Sequence, residues 1–303
     1  MQSTRPTRLS RFQRSEHPPS CQLTDRDLDI LEAVADCRFM TRHQIQKLLF
    51  TPGAASLAKR RLALLYHHTY LRRHHVPVRN AFGALRTVYS LDRAGAELLA
   101  TERRWEMHGW RVRDTDREAT FLDHHLDSVD VRVAFALACR RRGLALDWTD
   151  ERELRRQEVV QRTRDLGGEM VTVIPDAYLA IDSSGALDGF ALEVDRATVS
   201  ERRMRARFRA YGQWASSGAY LMKLPTESFR VLVVVTDNRR DPKRLERLKA
   251  WCEGELGGSL FWFIDREGLE KDVLDDILWL VAGRADRVKL PLSSAPQDRP
   301  AHS

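Results

Sequence analysis

Between Asp36 and Asp92 the chain holds no aspartate or glutamate. The same stretch carries Arg38, Arg42, Lys47, Lys59, Arg60, Arg61, Arg72, Arg73, Arg79 and Arg86, with His43, His67, His68, His74 and His75 among them. A solvated protein surface mixes both signs of charge. A one-signed run of this length repels itself unless a polyanion neutralises it. DNA or RNA is the natural polyanion, because bound cations release counterions condensed on the phosphates. The competing explanation is chance clustering in a chain with 43 Arg and 7 Lys, and it must also account for the missing acids. The imbalance is regional: residues 1–113 carry a net +10 and the remainder −3, within an overall +7.

Length and composition bound the rest. With 303 residues, 43% hydrophobic and 31% charged, the chain is long enough for about two domains with real cores. It is not a disordered, collagenous or disulfide-scaffold protein. No stretch approaches ~18 apolar residues without a charge, so no membrane partner is expected. The N-terminal segment has no apolar h-region of a secretory signal. Cys21, Cys37, Cys139 and Cys252 are far apart in sequence; they read as free thiols of a reducing compartment and cannot form a Cys-type zinc site. The expected location is cytoplasmic.

Residues 1–22 are polar and basic and predict a flexible arm. Thr24 with Asp27 predicts a helix start, and Leu28, Leu31, Val34 and Ala35 form its apolar stripe. Thr41 with Gln44 predicts a capping box and a short second helix, which Thr51-Pro52-Gly53 ends. A third helix is expected over residues 54–69, with Leu57, Ala58, Leu62 and Leu65 inward. Two β-like runs, 70–78 and 85–91, flank a turn-like stretch, and residues 92–100 predict a closing helix. Three short helices and a basic hairpin over residues 23–104 describe a winged helix-turn-helix, whose third helix enters the major groove of double-stranded DNA. The candidate DNA-binding residues are Arg42, Ser56, Lys59, Arg60 and Arg61 from the helices. Arg72, Arg73, Arg79 and Arg86 join them from the wing. Arginine reads guanine bidentately, whereas lysine and wing cations more often hold phosphate.

A linker is expected over 105–117 and a second, α/β domain over 118–292, followed by a disordered tail at 293–303. The domain opens with a long helix, 118–142. Strands are expected at 145–149, 153–160, 170–181 and 190–197, then a helix over 198–215 begun by Thr198 and Glu201. A buried strand at 229–236, a helix at 242–252 and a strand at 260–264 complete it, giving a mixed α/β order. Asp176 sits on one strand and Glu193 and Asp195 on the next. If the hairpin turns at Ser184-Gly185, Asp176 and Glu193 face each other with Cβ atoms ~5 Å apart, and Asp195 shares the face of Glu193. Three carboxylates on one face repel unless a cation joins them, and Mg²⁺ prefers such oxygen ligands. Asp176 and Glu193 are the candidate metal ligands, and Asp176, Glu193 and Asp195 the candidate catalytic set. The alternative is a solvated face whose acids pair with Arg203 and Arg207 of the next helix. The chain has no P-loop and no GxSxG string.

Asp176 after a proline, Glu193-x-Asp195 on the following strand and a basic helix resemble the restriction-endonuclease-like core, whose hallmark is PD…(D/E)xK. Asp195 stands where that family has its lysine, the group that helps activate the attacking water. The longer pattern resembles the replication-relaxation family of bacterial plasmids and other mobile elements. It is carried by LTDRDLDILEAVADCRFMTRHQIQKLLF, RTVYSLDRAGAELLA, FLDHHLDSVDVRVAFA, and IPDAYLAI with FALEVDRATVSERRMRARFRAYGQW. The resemblance implies a winged-helix domain joined to a nuclease-like domain, with a role in plasmid replication or DNA relaxation. It leaves open whether the second domain is a Mg²⁺-dependent endonuclease or nickase. Two other classes stand beside this reading. One is a non-enzymatic transcription or copy-number regulator that uses the second domain to form a homodimer. The other is an adaptor that recruits replication or transfer proteins.

Overall fold

The structure is a computed structural model and describes residues 10–77, 85–106, 119–164, 167–183, 185–224, 226, 228–237, 239 and 241–293. The chain divides into two compact units, 1–129 and 130–303. The division falls inside a helix, not at the expected linker, most of which (107–118) lies outside the described residues.

In the first unit, α1 (Asp25–Cys37), the two-residue strand β1 (Met40–Thr41), α2 (Arg42–Leu49) and α3 (Ala55–His67) precede a hairpin of β2 (Leu71–Pro77) and β3 (Leu85–Leu91). Helix α4 (Arg93–Glu102) follows. Both expected starts are built as the sequence implies. The Thr24 N–H donates to Asp27 Oδ2 at 2.8 Å. Thr41 N–H donates to Gln44 Oε1 at 2.8 Å, while Gln44 N–H donates to Thr41 Oγ1 at 3.2 Å. β1 adds to the hairpin, giving the sheet order β1-β3-β2. Ile30, Leu31 and Val34 of α1, Ile45 of α2 and Ala58, Leu62 and Leu65 of α3 are fully buried. Leu57 departs from expectation and is exposed (42%). It lies about 100° around the helix from Ala58, and Ala58, Leu62 and Leu65 already complete the inward stripe. Helix α5 (Ala119–Arg142) contributes Leu122 and Leu126 to a cluster with Phe39, Val76 and Val88. Gln44 Nε2 donates to Leu126 O at 2.8 Å.

Residues 10–22, expected to be flexible, are instead strapped across α3 and the hairpin. Arg14 donates to Tyr66 O (3.1 Å), Leu71 O (2.9 Å) and Asp92 Oδ2 (2.5 Å). Tyr66 Oη donates to Phe12 O at 3.2 Å, and the Phe12 ring lies 4.7 Å from that of His75. Ser15 N–H donates to His67 Nδ1 at 2.9 Å, so that ring is neutral when the strap is docked. The reason for the difference is that backbone carbonyls along α3 and β2 supply the arm's partners, and no composition rule reveals them.

Burial is the main cause that depresses the His67 pKa, with help from Arg73, Arg14 and His68. Burial likewise lowers His75, which faces Arg11 and Arg73. A base whose folded pKa is depressed binds fewer protons folded than unfolded, so stability is intact above the unfolded value and declines as pH falls through it. Melting temperatures of the protein should therefore fall as pH drops through about 6.5. His67→Gln should flatten that fall; an equal slope in the variant would remove His67 as its cause.

In the second unit the remainder of α5 is followed by β4 (Ala145–Asp150), α6 (Glu151–Arg156), β5 (Gln161–Arg164), β6 (Met170–Val173), β7 (Ala177–Ser183) and β8 (Ala186–Asp195). Then come α7 (Glu201–Ser216), β9 (Ser228–Val235), α8 (Arg244–Cys252), β10 (Phe261–Asp265) and β11 (Leu280–Val281). The main sheet runs β11-β10-β9-β8-β7-β4. β8, β9 and β10 are parallel and the remaining pairs antiparallel. α5 packs on one face, where Val131, Ala134, Phe135 and Ala138 meet Leu179, Ile181, Leu192, Leu232 and Trp262. α7 and α8 pack on the other, where Phe208, Tyr211, Trp214, Leu248 and Trp251 meet Ala180, Ala191, Val231, Val233 and Phe263. β9 is apolar on both sides because both are covered. The result is a mixed α/β unit, as expected. Among the described residues no helix is long and apolar enough to cross a membrane.

Three boundaries differ from expectation. Residues 151–156 form a helix rather than a strand: Asp150 Oδ1 accepts from Glu153 N–H at 2.9 Å, and Glu151–Arg155 and Glu153–Arg156 pair along the helix. The expected strand 170–181 is cut into β6 and β7 at Ile174-Pro175-Asp176, because proline cannot donate to the ladder. α7 starts at Glu201 after Ser200, not at Thr198. Gly212 on α7 has a packing role: a Cβ there would meet Leu256 O at 2.0 Å.

Candidate functional site

The basic residues of the first unit separate into two groups. Ser56, Lys59 and Arg60 share the exposed side of α3, three and four residues apart, and Arg42 is exposed at the start of α2. Exposed Leu57 joins that face. Arg61, Arg73 and Arg86 are committed to the fold. The Arg61 Nε donates to Asp27 Oδ1 at 2.8 Å, a second guanidinium nitrogen reaches Asp27 Oδ2, and the same nitrogen donates to Gln22 O at 3.1 Å. The Asp27 side chain is fully buried, and its hydrogen bond raises the Arg61 pKa against the opposing effect of burial. Arg73 lies over the Tyr66 ring, 4.2 Å from its centroid, and donates to Leu62 O and Arg11 O at 3.4 Å. Arg86 is paired with Asp123. Arg72 is half-buried on β2, and Arg79 lies outside the described residues.

The carboxylates lie on the α7–α8 face of the main sheet. Register in the β7–β8 hairpin runs from Ser183 opposite Ala186 to Ala177 opposite Leu192, the register the turn position predicts. The ladder ends there, and Asp176 lies just before β7. The Asp176 N–H donates to Leu192 O at 2.9 Å, and Val194 N–H donates to Asp176 Oδ2 at 2.7 Å. Glu193 is buried. It accepts from Tyr211 Oη at 2.5 Å, and Arg207 approaches it at 2.8 Å. Asp195, also buried, is gripped by Arg244 in a bidentate pair, Nε–Oδ2 2.8 Å and Nη2–Oδ1 3.0 Å. Arg244 donates further to Val199 O at 2.8 Å and lies over the Trp251 ring. The sequence named Arg207 as a partner for the acids but missed Arg244, Tyr211's hydrogen bond and the separate fates of Glu193 and Asp195. Arg203, its other named partner, is exposed.

Electrostatics follow from this geometry. The negative charge of Glu193, then of Asp176, holds the Arg207 pKa above its ordinary value despite burial. Tyr211 is pushed well up, first by burial and then by the Glu193 charge, so its hydroxyl stays protonated and donates. Among the described residues no group of three or more His, Cys, Asp or Glu side chains is placed to hold a metal ion. The donor set does not fit Mg²⁺ as it stands, because Glu193 and Asp195 already spend their oxygens on guanidinium and phenol donors.

The replication-relaxation family matches the chain over residues 31–224, well over half its length. The chain belongs to the replication-relaxation family. The match takes in the α3 face, both carboxylate strands, Arg207 and Tyr211, and ends before Arg244. A solved structure of restriction endonuclease FokI bound to DNA is similar over 81% of this chain, at 12% identity and a TM-score of 0.25. This replication-relaxation protein spans only 43% of that endonuclease, and a likeness so slight bears no weight on the site. No curated protein matches the chain.

Proposed function

We propose that this replication-relaxation protein binds double-stranded DNA of a bacterial plasmid or other mobile element and serves its replication or relaxation. Its first unit acts as a winged helix-turn-helix whose α3 enters the major groove. Its second unit keeps a nuclease-like sheet that grips DNA or a partner without cutting. The observation that carries the DNA reading is the exposed α3 face, Ser56, Lys59 and Arg60 beside Arg42, within a stretch that contains no acid.

Lys59→Ala and Arg60→Ala should each weaken retardation of duplex DNA and reduce the slope of log affinity against log salt by about one. A slope unchanged in both would move the DNA face elsewhere. The non-cleaving reading is supported by the arginine pairs on Glu193 and Asp195. Supercoiled plasmid incubated with Mg²⁺ or Mn²⁺ should be retarded and left intact by the wild type and by Asp176→Ala alike. The nearness of Asp176 to β8, through the Val194 N–H, favours the nuclease reading, and nicking by the wild type alone would establish it.

A further inference from the structure

We propose that Arg207 is the resident cation of the carboxylate site, standing in the place a divalent metal would need, so that the acids are neutralised from within the chain. The inference rests on the nuclease-like reading of the second unit and extends it to the charge balance of the site.

Three observations converge on it. Arg207 and Tyr211 stand four residues apart on one side of α7, and both reach the same buried carboxylate, Glu193. A buried carboxylate stays ionised only when a cation and hydrogen bonds replace its water. The guanidinium supplies the charge, and the phenol supplies a second donor. Next, Asp176 and Glu151 add their fields to that of Glu193 at the Arg207 guanidinium. Glu151 N–H donates to Asp176 O at 3.0 Å, which ties the start of α6 to the strand that carries Asp176. The contact that places this cation is its ion pair with Glu193 of β8. Finally, Asp195, where the nuclease motif carries its lysine, brings its own arginine from α8. A dication arriving beside Glu193 would meet the like charge of Arg207 at close range.

The test removes the internal cation and offers an external one. The full chain is titrated with Mn²⁺ in the absence of DNA, and bound metal is read from loss of the free-ion paramagnetic resonance signal and from thermal melting. Arg207→Ala should take up one Mn²⁺ at least about tenfold more tightly than the wild type, since a neighbouring positive charge is gone. Its melting temperature should rise on adding Mn²⁺ while that of the wild type stays level. The double variant Arg207→Ala with Glu193→Gln should lose the gain. Arg207→Gln keeps a donor toward Glu193 and carries the same test if the alanine variant does not fold.

Two results overturn the proposal. One is a folded Arg207 variant that gains no Mn²⁺ affinity. The other is a wild type that binds Mn²⁺ as tightly as the variants and loses it on Glu193→Gln, which would mean that metal and arginine share the site. Because no DNA is present, either result stands apart from the retardation and cutting assays that test the functional reading.

Discussion

Asp195→Lys, which puts a lysine where the PD…(D/E)xK pattern carries one, is expected to destabilise the second unit strongly instead of starting cleavage. The position is not a vacant catalytic post. Asp195 is 3% exposed and holds both arms of the Arg244 guanidinium. Lysine there would set two cations against each other inside the fold. Breaking a buried ion pair from one side alone costs about 3–5 kcal/mol, a large share of the roughly 5–15 kcal/mol that holds a domain together. Urea denaturation followed by circular dichroism reads the loss, and Arg244→Ala should show one of similar size. Replacing both partners by apolar residues of similar volume should return most of the stability, since no charge is then stranded. A Lys variant as stable as the wild type, or one that nicks plasmid with Mg²⁺, would contradict this account.

The second large effect separates two neighbours on α3. Arg60→Ala should leave the melting temperature in place and weaken DNA binding. Arg61→Ala should cost the first unit about 3–5 kcal/mol, because it strands a buried carboxylate. Asp27 has no exposed side-chain surface and also caps α1 through the Thr24 N–H. Its loss of a partner therefore reaches both a helix start and the α1–α3 packing. Any fall in DNA binding by Arg61→Ala should track the fraction unfolded and vanish under conditions that restore the fold. A variant that melts like the wild type yet binds DNA poorly would return Arg61 to the DNA face.

The two arginines look alike in sequence, and the difference between them marks what a sequence can disclose. Local signals read well. Thr24 with Asp27, Thr41 with Gln44 and the Ser184-Gly185 turn each act within a few residues, and each led to a correct helix start or register. Pairings across long separations did not. Arg61 finds Asp27 34 residues away, and Arg244 finds Asp195 49 residues away; no spacing rule joins them. Charge alone placed Arg61, Arg73 and Arg86 on the DNA surface, because an acid-free run says nothing of acids and carbonyls contributed by other segments. The short α6 was legible in principle. Its Asp150 cap and Glu–Arg pairs were present, but the apolar residues Leu154, Val159 and Val160 read as a strand beside them. The β7–β8 register was legible from the turn, while the arginines that meet Glu193 and Asp195 come from helices whose facing residues only packing defines.

The strap at residues 10–22 sets an order of events during synthesis. Its anchors lie 52, 57 and 78 residues downstream, at Tyr66, Leu71 and Asp92. This segment leaves the ribosome before its anchors and must wait for the hairpin and the start of α4 before it has anything to hold. Closing such long loops comes late in folding, and what closes late on few contacts opens early. Amide protons along the strap, Ser15 among them, should therefore exchange ahead of those in α1 and α3, and a protease presented with the native protein should cut there first.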